Sequence, residues 1–366
     1  MFQGHATLIV DLGNSETRLQ VKVRNRVSDI ISLSNQYANI PSNYEVPASY
    51  CKGDSLVFHC NDSRYAHGEL ALKEFSSYLI KPTAIQPKAE SSTTVLAREV
   101  IFYHAYHVLG NLVGVPMKNL DVTWDIIVLS PPLHMALKDK LIDIFSNPAP
   151  LNVTVPVRIS ISPAIGKVKV VPEGVAAFFA VVFDKHLKVK PEYQNLGTES
   201  VMIVDIGAGT TDVCVIEQYR AIEDTMDTYP IGGNNVYQQV GKILKAEGRN
   251  IREDLLMNGV VSGIVTDGRS EVDITDKVNA VKVKISQALK NNIRRSFESN
   301  LYDPRGIQFL MVIGGGALEG ATPSMGTHLL NAIRELSPNV ELLPLPDGVD
   351  LRHLNINGAM VISQQG

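Results

Sequence analysis

Two short runs hold the residue types that handling a charged phosphate requires, Asp11-Leu-Gly-Asn-Ser15 and Asp205-Ile-Gly-Ala-Gly-Thr-Thr-Asp212. A D-x-G turn presents backbone N–H groups from a loop that small residues let a ligand approach closely, and its aspartate adds a carboxylate at the strand end. Carboxylates are hard oxygen ligands of the kind Mg²⁺ prefers, usually through its water shell. The second run adds two glycines and two hydroxyls, Gly207, Gly209, Thr210 and Thr211, so donors outnumber bulky side chains there. Either turn alone reads equally as an ordinary hairpin corner, where Asp and Gly are common.

The two turns are not independent. Residues 8–23 align without gaps on residues 202–217, placing Asp11 on Asp205, Gly13 on Gly207 and Thr17 on Thr211. Each copy reads as a buried apolar strand, a polar turn and a second strand of alternating polarity, a β-hairpin opening each half of the molecule. Recurrence at one position of two halves favours a paired phosphate clamp with a metal pocket over two chance corners.

Other elements must position these turns. The pattern predicts a long helix over 93–112, a buried strand over 125–129 ended by Ser130-Pro131-Pro132, an amphipathic helix over 133–145 and a strand over 168–171. Pro172-Glu173 reads as the start of a helix through Phe183, proline being tolerated in a first turn. Residues 25–92 carry several Pro, Asn and Ser turn signals and read as an insertion on the first half; the polar run 185–200 reads as a linker between halves. In the second half, helices are expected over 234–247 and 275–297, the latter with Val278, Val281, Ile285, Leu289 and Ile293 as its core stripe. A strand over 308–313 ends in Gly314-Gly315-Gly316, whose lack of side chains lets the backbone pass close to a flat base or ribose, and a helix over 326–336 follows. Gly232 and Gly233, with Asn234 and Asn235, precede a helix and would offer N–H groups and a positive dipole end. Lys282, Lys284, Lys290, Arg294 and Arg295 lie on the 275–297 helix, one of them in reach of a ribose or base and most on a solvated face. Residues 357–363 are expected to close the chain as a helix against the first half. Strands alternating with helices give an α/β class.

Bulk properties narrow the partners. The chain has 366 residues, 45% hydrophobic and 20% charged, with a net charge of −4, which is globular composition and enough for two packed domains. No summed positive field drives binding to a nucleic-acid backbone, so direct nucleic-acid contact is not expected. The three cysteines form no C-x-x-C pair, which fits reduced thiols and a cytoplasmic setting. The opening residues lack the pattern of a secretory signal, and the apolar stretches fall short of the ~20 residues that cross a bilayer, so no membrane association is expected.

The paired runs from Asp11 and Asp205 resemble the two phosphate motifs of the actin, Hsp70 and sugar-kinase superfamily. Val312-Ile-Gly-Gly-Gly-Ala317 resembles its adenosine motif, and Val170-Val-Pro-Glu-Gly-Val-Ala-Ala177 and Gly358-Ala-Met-Val-Ile362 its first and second connecting helices, all in the family's order. The resemblance implies an actin-like, duplicated ribonuclease-H-like ATPase fold with two lobes around a nucleotide cleft. Domain I would be 1–184 plus 345–366, with the insertion at about 25–92, and domain II 198–344. It also implies roles: Asp11 and Asp205 on the Mg²⁺ water shell; Gly13, Asn14 and Ser15 as the first phosphate loop; Gly207, Gly209, Thr210 and Thr211 as the second. Arg18 stands where actins carry a phosphate-reaching lysine, and Glu173 where the family places the side chain that orients the attacking water. Gly232, Gly233, Gly314, Gly315 and Gly316 complete the nucleotide site, for ATP or GTP.

Within the superfamily, His67-Gly-Glu-Leu-Ala-Leu-Lys73 and Trp124-Asp-Ile-Ile-Val-Leu-Ser-Pro-Pro-Leu133 resemble the bacterial plasmid-segregation actins, the ParM or StbA proteins. That branch implies ATP-dependent self-association into filaments that separate plasmid copies through a DNA-binding adaptor on a centromere-like site. The competing expectation is a non-polymerising small-molecule kinase or phosphotransferase, which would need an acceptor-binding carboxylate that the sequence does not display.

Overall fold

A computed structural model describes residues 1–13, 16–51, 55–82, 86–266, 270–317 and 320–365. The chain divides into two compact units, one of residues 1–130, 134–172 and 362–366, the other of residues 131–133 and 173–361. Residues 173–184 and 345–361, expected with domain I, thus cluster with the second unit.

In the first unit, strand Phe2–Leu12 pairs antiparallel with Glu16–Val23 and parallel with Leu120–Ser130, and Ala164–Pro172 extends the parallel side. The short strands Arg26–Val27 and Ile31–Ser34 both pair with Glu16–Val23. Leu8, Val10, Leu12, Leu19 and Val21 pack against the helix Ser92–Val113 in one apolar core. This helix is capped by the Ser91 side chain and stops at Gly114, whose φ of 71° takes the left-handed conformation common past a helix end. A second sheet, in the order Ile159–Ile161, Leu151–Val155, Leu56–Cys60, Ser63–His67, Tyr37–Asn39 and Leu79–Ile80, absorbs most of the expected insertion. Two of its strands come from beyond residue 150, so the insertion is not closed on itself. The helix expected over 133–145 begins as a 3-10 turn, Pro132–Leu137, and becomes α-helical over Lys138–Ser146.

The second unit repeats the plan. Strand Ser200–Ile206 pairs antiparallel with Thr211–Glu217 and parallel with Ile307–Ile313; Arg220–Tyr229 and Glu341–Leu342 form the outer strands. Asp11 and Asp205 occupy matching places, each near the end of the strand that joins its antiparallel hairpin to the parallel side. Alternate residues serve two cores. Met202, Val204 and Ile206 face the helices Gly233–Ala246, Thr275–Ser299 and Met325–Ile333, whereas Val201, Ile203, Cys214 and Ile216 face Val175–Val182. Both faces are covered, which is why these strands read as continuous apolar runs.

Three expectations change. The connecting helix spans Val175–Val182, and Pro172 stays in the preceding strand, because Gly174 at φ 76° breaks the chain direction between them. The run 185–200 is not a free linker: it folds into a 3-10 turn, Pro191–Gly197, whose Tyr193 and Leu196 are buried and whose Tyr193 hydroxyl donates to the Pro344 carbonyl at 2.9 Å. The closing helix, Leu354–Ile362, expected on the first half, clusters with the second unit as far as residue 361, with Gly358 against the Ala176 backbone.

Candidate functional site

The first turn is braced from beneath. Gly13 has no room for a side chain, since a Cβ would stand 2.4 Å from the Glu16 carbonyl oxygen. The Gly13 carbonyl accepts from Asn35 Nδ2, and Asn35 Oδ1 accepts from the Thr17 and Tyr37 hydroxyls, each at 2.9 Å. Asn35 is buried, and these three bonds fix it beneath the turn. Beside Gly13 a small cavity is lined by Leu12, Asn35, Lys88, Ser91 and Thr93, which puts a buried lysine near the turn. Neither Asn35 nor Lys88 belongs to a motif; both lie in the stretch without regular pattern. Asn14 and Ser15 fall outside the described residues.

Asp11 is buried, and Arg18 stands directly opposite it in the hairpin register, with Nη1 3.4 Å from Asp11 Oδ2 and Nη2 2.8 Å from Glu16 Oε2. Here Arg18 is an ion-pairing residue of its own hairpin, with a guanidinium one residue pair away from the turn.

In the second unit four separate glycine signals converge. A Cβ on Gly314, at φ 89°, would lie 2.3 Å from Asp205 Oδ1; one on Gly316 would lie 2.4 Å from the Gly207 carbonyl oxygen, and one on Gly232 2.7 Å from the same oxygen. Gly233 would meet the Gly316 Cα at 3.0 Å. Gly315 differs, its Cβ direction meeting only the Arg352 side chain at 3.5 Å. These glycines therefore let two strand ends, one turn and one helix start come into backbone contact around Asp205. The 207–210 turn is closed by Gly207 N–H donating to the Thr210 carbonyl at 2.8 Å, with Gly209 and Thr210 half-buried at its tip.

Three predicted backbone donors are already committed. The N–H groups of Gly233 and Asn234 donate to the Gly207 and Ala208 carbonyls at 2.9 and 2.8 Å, and the Gly232 N–H to Asn235 Oδ1 at 2.8 Å. This helix start buttresses the turn instead of offering N–H groups to a ligand. The Thr211 hydroxyl, fully buried, donates to the Ile231 carbonyl at 2.6 Å. The basic residues also serve packing: Lys282 Nζ donates to Thr322 Oγ1 at 2.7 Å, and Lys290 pairs with Glu335 at 2.6 Å.

Asp205 and Asp212 oppose each other directly in the antiparallel register, so their carboxylates leave the same face of the sheet. Both are buried. Asn355 Nδ2 donates to Asp205 Oδ2 at 2.5 Å, and Thr228 Oγ1 donates to Asp212 Oδ1 at 2.5 Å. Burial pushes the neighbouring Cys214 thiol up, and the charges of Asp212 and Asp205 add to that rise. Two adjacent buried carboxylates suit a cation. Among the described residues no group of three or more His, Cys, Asp or Glu is placed to bind a metal. Glu173 sits in the turn that leads into the connecting helix, its carbonyl accepting from Val175 N–H at 2.9 Å; it is not a first-turn helical acid.

Among the described residues no helix is long and apolar enough to cross a membrane. No curated protein matches the sequence. The family model described as archaeal actin homologue MreB-like, C-terminal, matches residues 203–320. The crystal structure of Ta0583, an archaeal actin homolog, is similar at a TM-score of 0.70 and 16% identity over 98% of this chain and 99% of that one. Actin-like protein Alp7A is similar at 0.67 and 15% identity, over 98% and 96%, and Bacillus thuringiensis ParM with ATP at 0.62 and 16%, over 98% of both chains. The duplicated hairpins, the repeated strand order and these likenesses together establish that the chain has the α/β fold of the actin homologues.

Proposed function

We propose that the chain binds and hydrolyses ATP with Mg²⁺ through its two phosphate turns and uses the cycle to assemble and disassemble filaments of itself. The observation that carries this reading is the equivalent placing of Asp11 and Asp205 near the ends of equivalent strands, each two residues before a glycine of its hairpin turn, Gly13 and Gly207. Support comes from solved actin homologues in complex with ADP, ATP and AMPPNP, which share the fold at 16–17% identity. The finer reading is a plasmid-segregating filament acting through a DNA-binding adaptor, in line with the likeness to ParM and Alp7A.

Phosphoryl transfer needs an in-line nucleophile and electrostatic relief on the transferred group more than covalent help. Gly13 and the 207–210 turn would hold phosphate oxygens through backbone N–H groups. Asp11 and Asp205 would hold the hydrated Mg²⁺, which when bound neutralises charge on the phosphates. Arg18 keeps Asp11 oriented, and Glu173 would accept a hydrogen bond from the attacking water and align it.

Light scattering of the purified protein tests the assembly. On adding Mg-ATP the signal should rise and later decay as nucleotide is consumed; a flat trace across a wide protein range, with ATP and with GTP, would return the chain to the phosphotransferase reading.

A further inference from the structure

The turn carrying Glu173 has an uncommon shape. Gly174 lies at φ 76° and ψ −54°, and Val175 N–H reaches back to the Glu173 carbonyl at 2.9 Å, which makes a γ-turn of the rare, strained sense. Such a conformation persists only where its surroundings over-determine it. The Gly174 N–H of this turn donates to Asn355 Oδ1 at 2.8 Å. The other end of the same amide donates to Asp205. The amide orientation follows from the backbone, because the Gly174 N–H only donates and so must face Oδ1, which leaves Nδ2 toward Asp205. Asn355 itself is buried, at 9% exposure, and Gly358 one helical turn later touches the helix after Glu173 so closely that a Cβ would lie 1.6 Å from the Ala176 carbonyl oxygen.

We infer that Asn355 is a positioning residue for hydrolysis, a two-ended strut that holds the Glu173 turn in fixed relation to the Asp205 carboxylate. This rests on the reading of Glu173 as the residue that aligns water. Alanine removes both bonds, leaving the Gly174 N–H and one Asp205 lone pair without this partner. Aspartate keeps the size but sets a second anion against Asp205.

The test is a double-mutant cycle in the full chain, with phosphate release read against nucleotide affinity from a fluorescent ATP analogue. Glu173→Ala should slow release. Asn355→Ala should lower kcat by about tenfold or more while changing the nucleotide Kd less than about threefold, as for misalignment of a reacting group. In the Glu173→Ala background, Asn355→Ala should add no further loss, which a general weakening of the fold would not reproduce. Additive losses, or a wild-type kcat for Asn355→Ala beside a slow Glu173→Ala, overturn the strut alone. Wild-type release by Glu173→Ala removes Glu173 from its role and the strut with it. Should Asn355→Ala not fold, Gly174→Ala strains the same turn from the backbone, and an unchanged kcat there overturns the inference.

Discussion

Burial around the Lys282 ammonium lowers its pKa from 10.5 to about 8, although Thr322 and the Pro323 carbonyl both accept from it. Between those two values the unfolded chain holds a proton that the folded chain has released, so this residue makes the fold more stable as pH rises through that window. The nearby His328 is held below its usual 6.5 by burial first and by the charge of Lys282 second, so it stays neutral across the same range. Relative to Lys282→Met, the wild type should gain about 2 kcal/mol between pH 7 and 9.5, read from urea unfolding; a pH-independent difference would contradict the assignment. The residue scale also shows where motif reasoning stops. Asp11, Asp205, Gly13 and Gly207 stand where their pattern places them, because a D-x-G turn is a local device. Thr211, Gly233 and Arg18 carry donors spent on Ile231, Gly207 and Asp11 instead, and composition does not reveal which acceptor lies nearest.

At the scale of elements, periodicity served well where a helix has one buried face. The predicted core stripe of helix Thr275–Ser299 is buried at every position from Val278 to Ile293. It failed at the start of the connecting helix. The proline rule places a helix start at Pro172, but the positive φ of Gly174 is imposed by what packs around it, and the helix begins only at Val175. The crossing of helices Val175–Val182 and Leu354–Ile362 depends on a second glycine. Gly358→Ala should destabilise the protein by about 2–3 kcal/mol, the cost of overpacking a tight backbone contact, measured as a lowered urea midpoint with an unchanged m-value. An unaltered midpoint would mean that the crossing relaxes freely.

Over the whole molecule, two units repeat one strand order, and the matching runs 8–23 and 202–217 write this duplication into the chain itself. A head-to-tail contact that does not close into a ring makes assembly a threshold process. The hydrolysis rate per molecule should therefore be low below a critical protein concentration and climb above it, followed as phosphate release over a dilution series. A rate per molecule independent of concentration, stimulated by a small acceptor, would favour a phosphotransferase.

The duplication, the α/β class, the paired turns and most helices are legible along the chain, because each is written in spacings of two to four residues that local backbone geometry enforces. The second sheet of the first unit is not, since its strands Leu56–Cys60 and Leu151–Val155 pair across a long chain separation and meet only on folding. Folding also selects which polar groups spend their hydrogen bonds on the scaffold, and it brings Asn355 to Asp205 from 150 residues away. Such contacts follow from how whole elements pack, and a buried donor takes the acceptor that packing delivers.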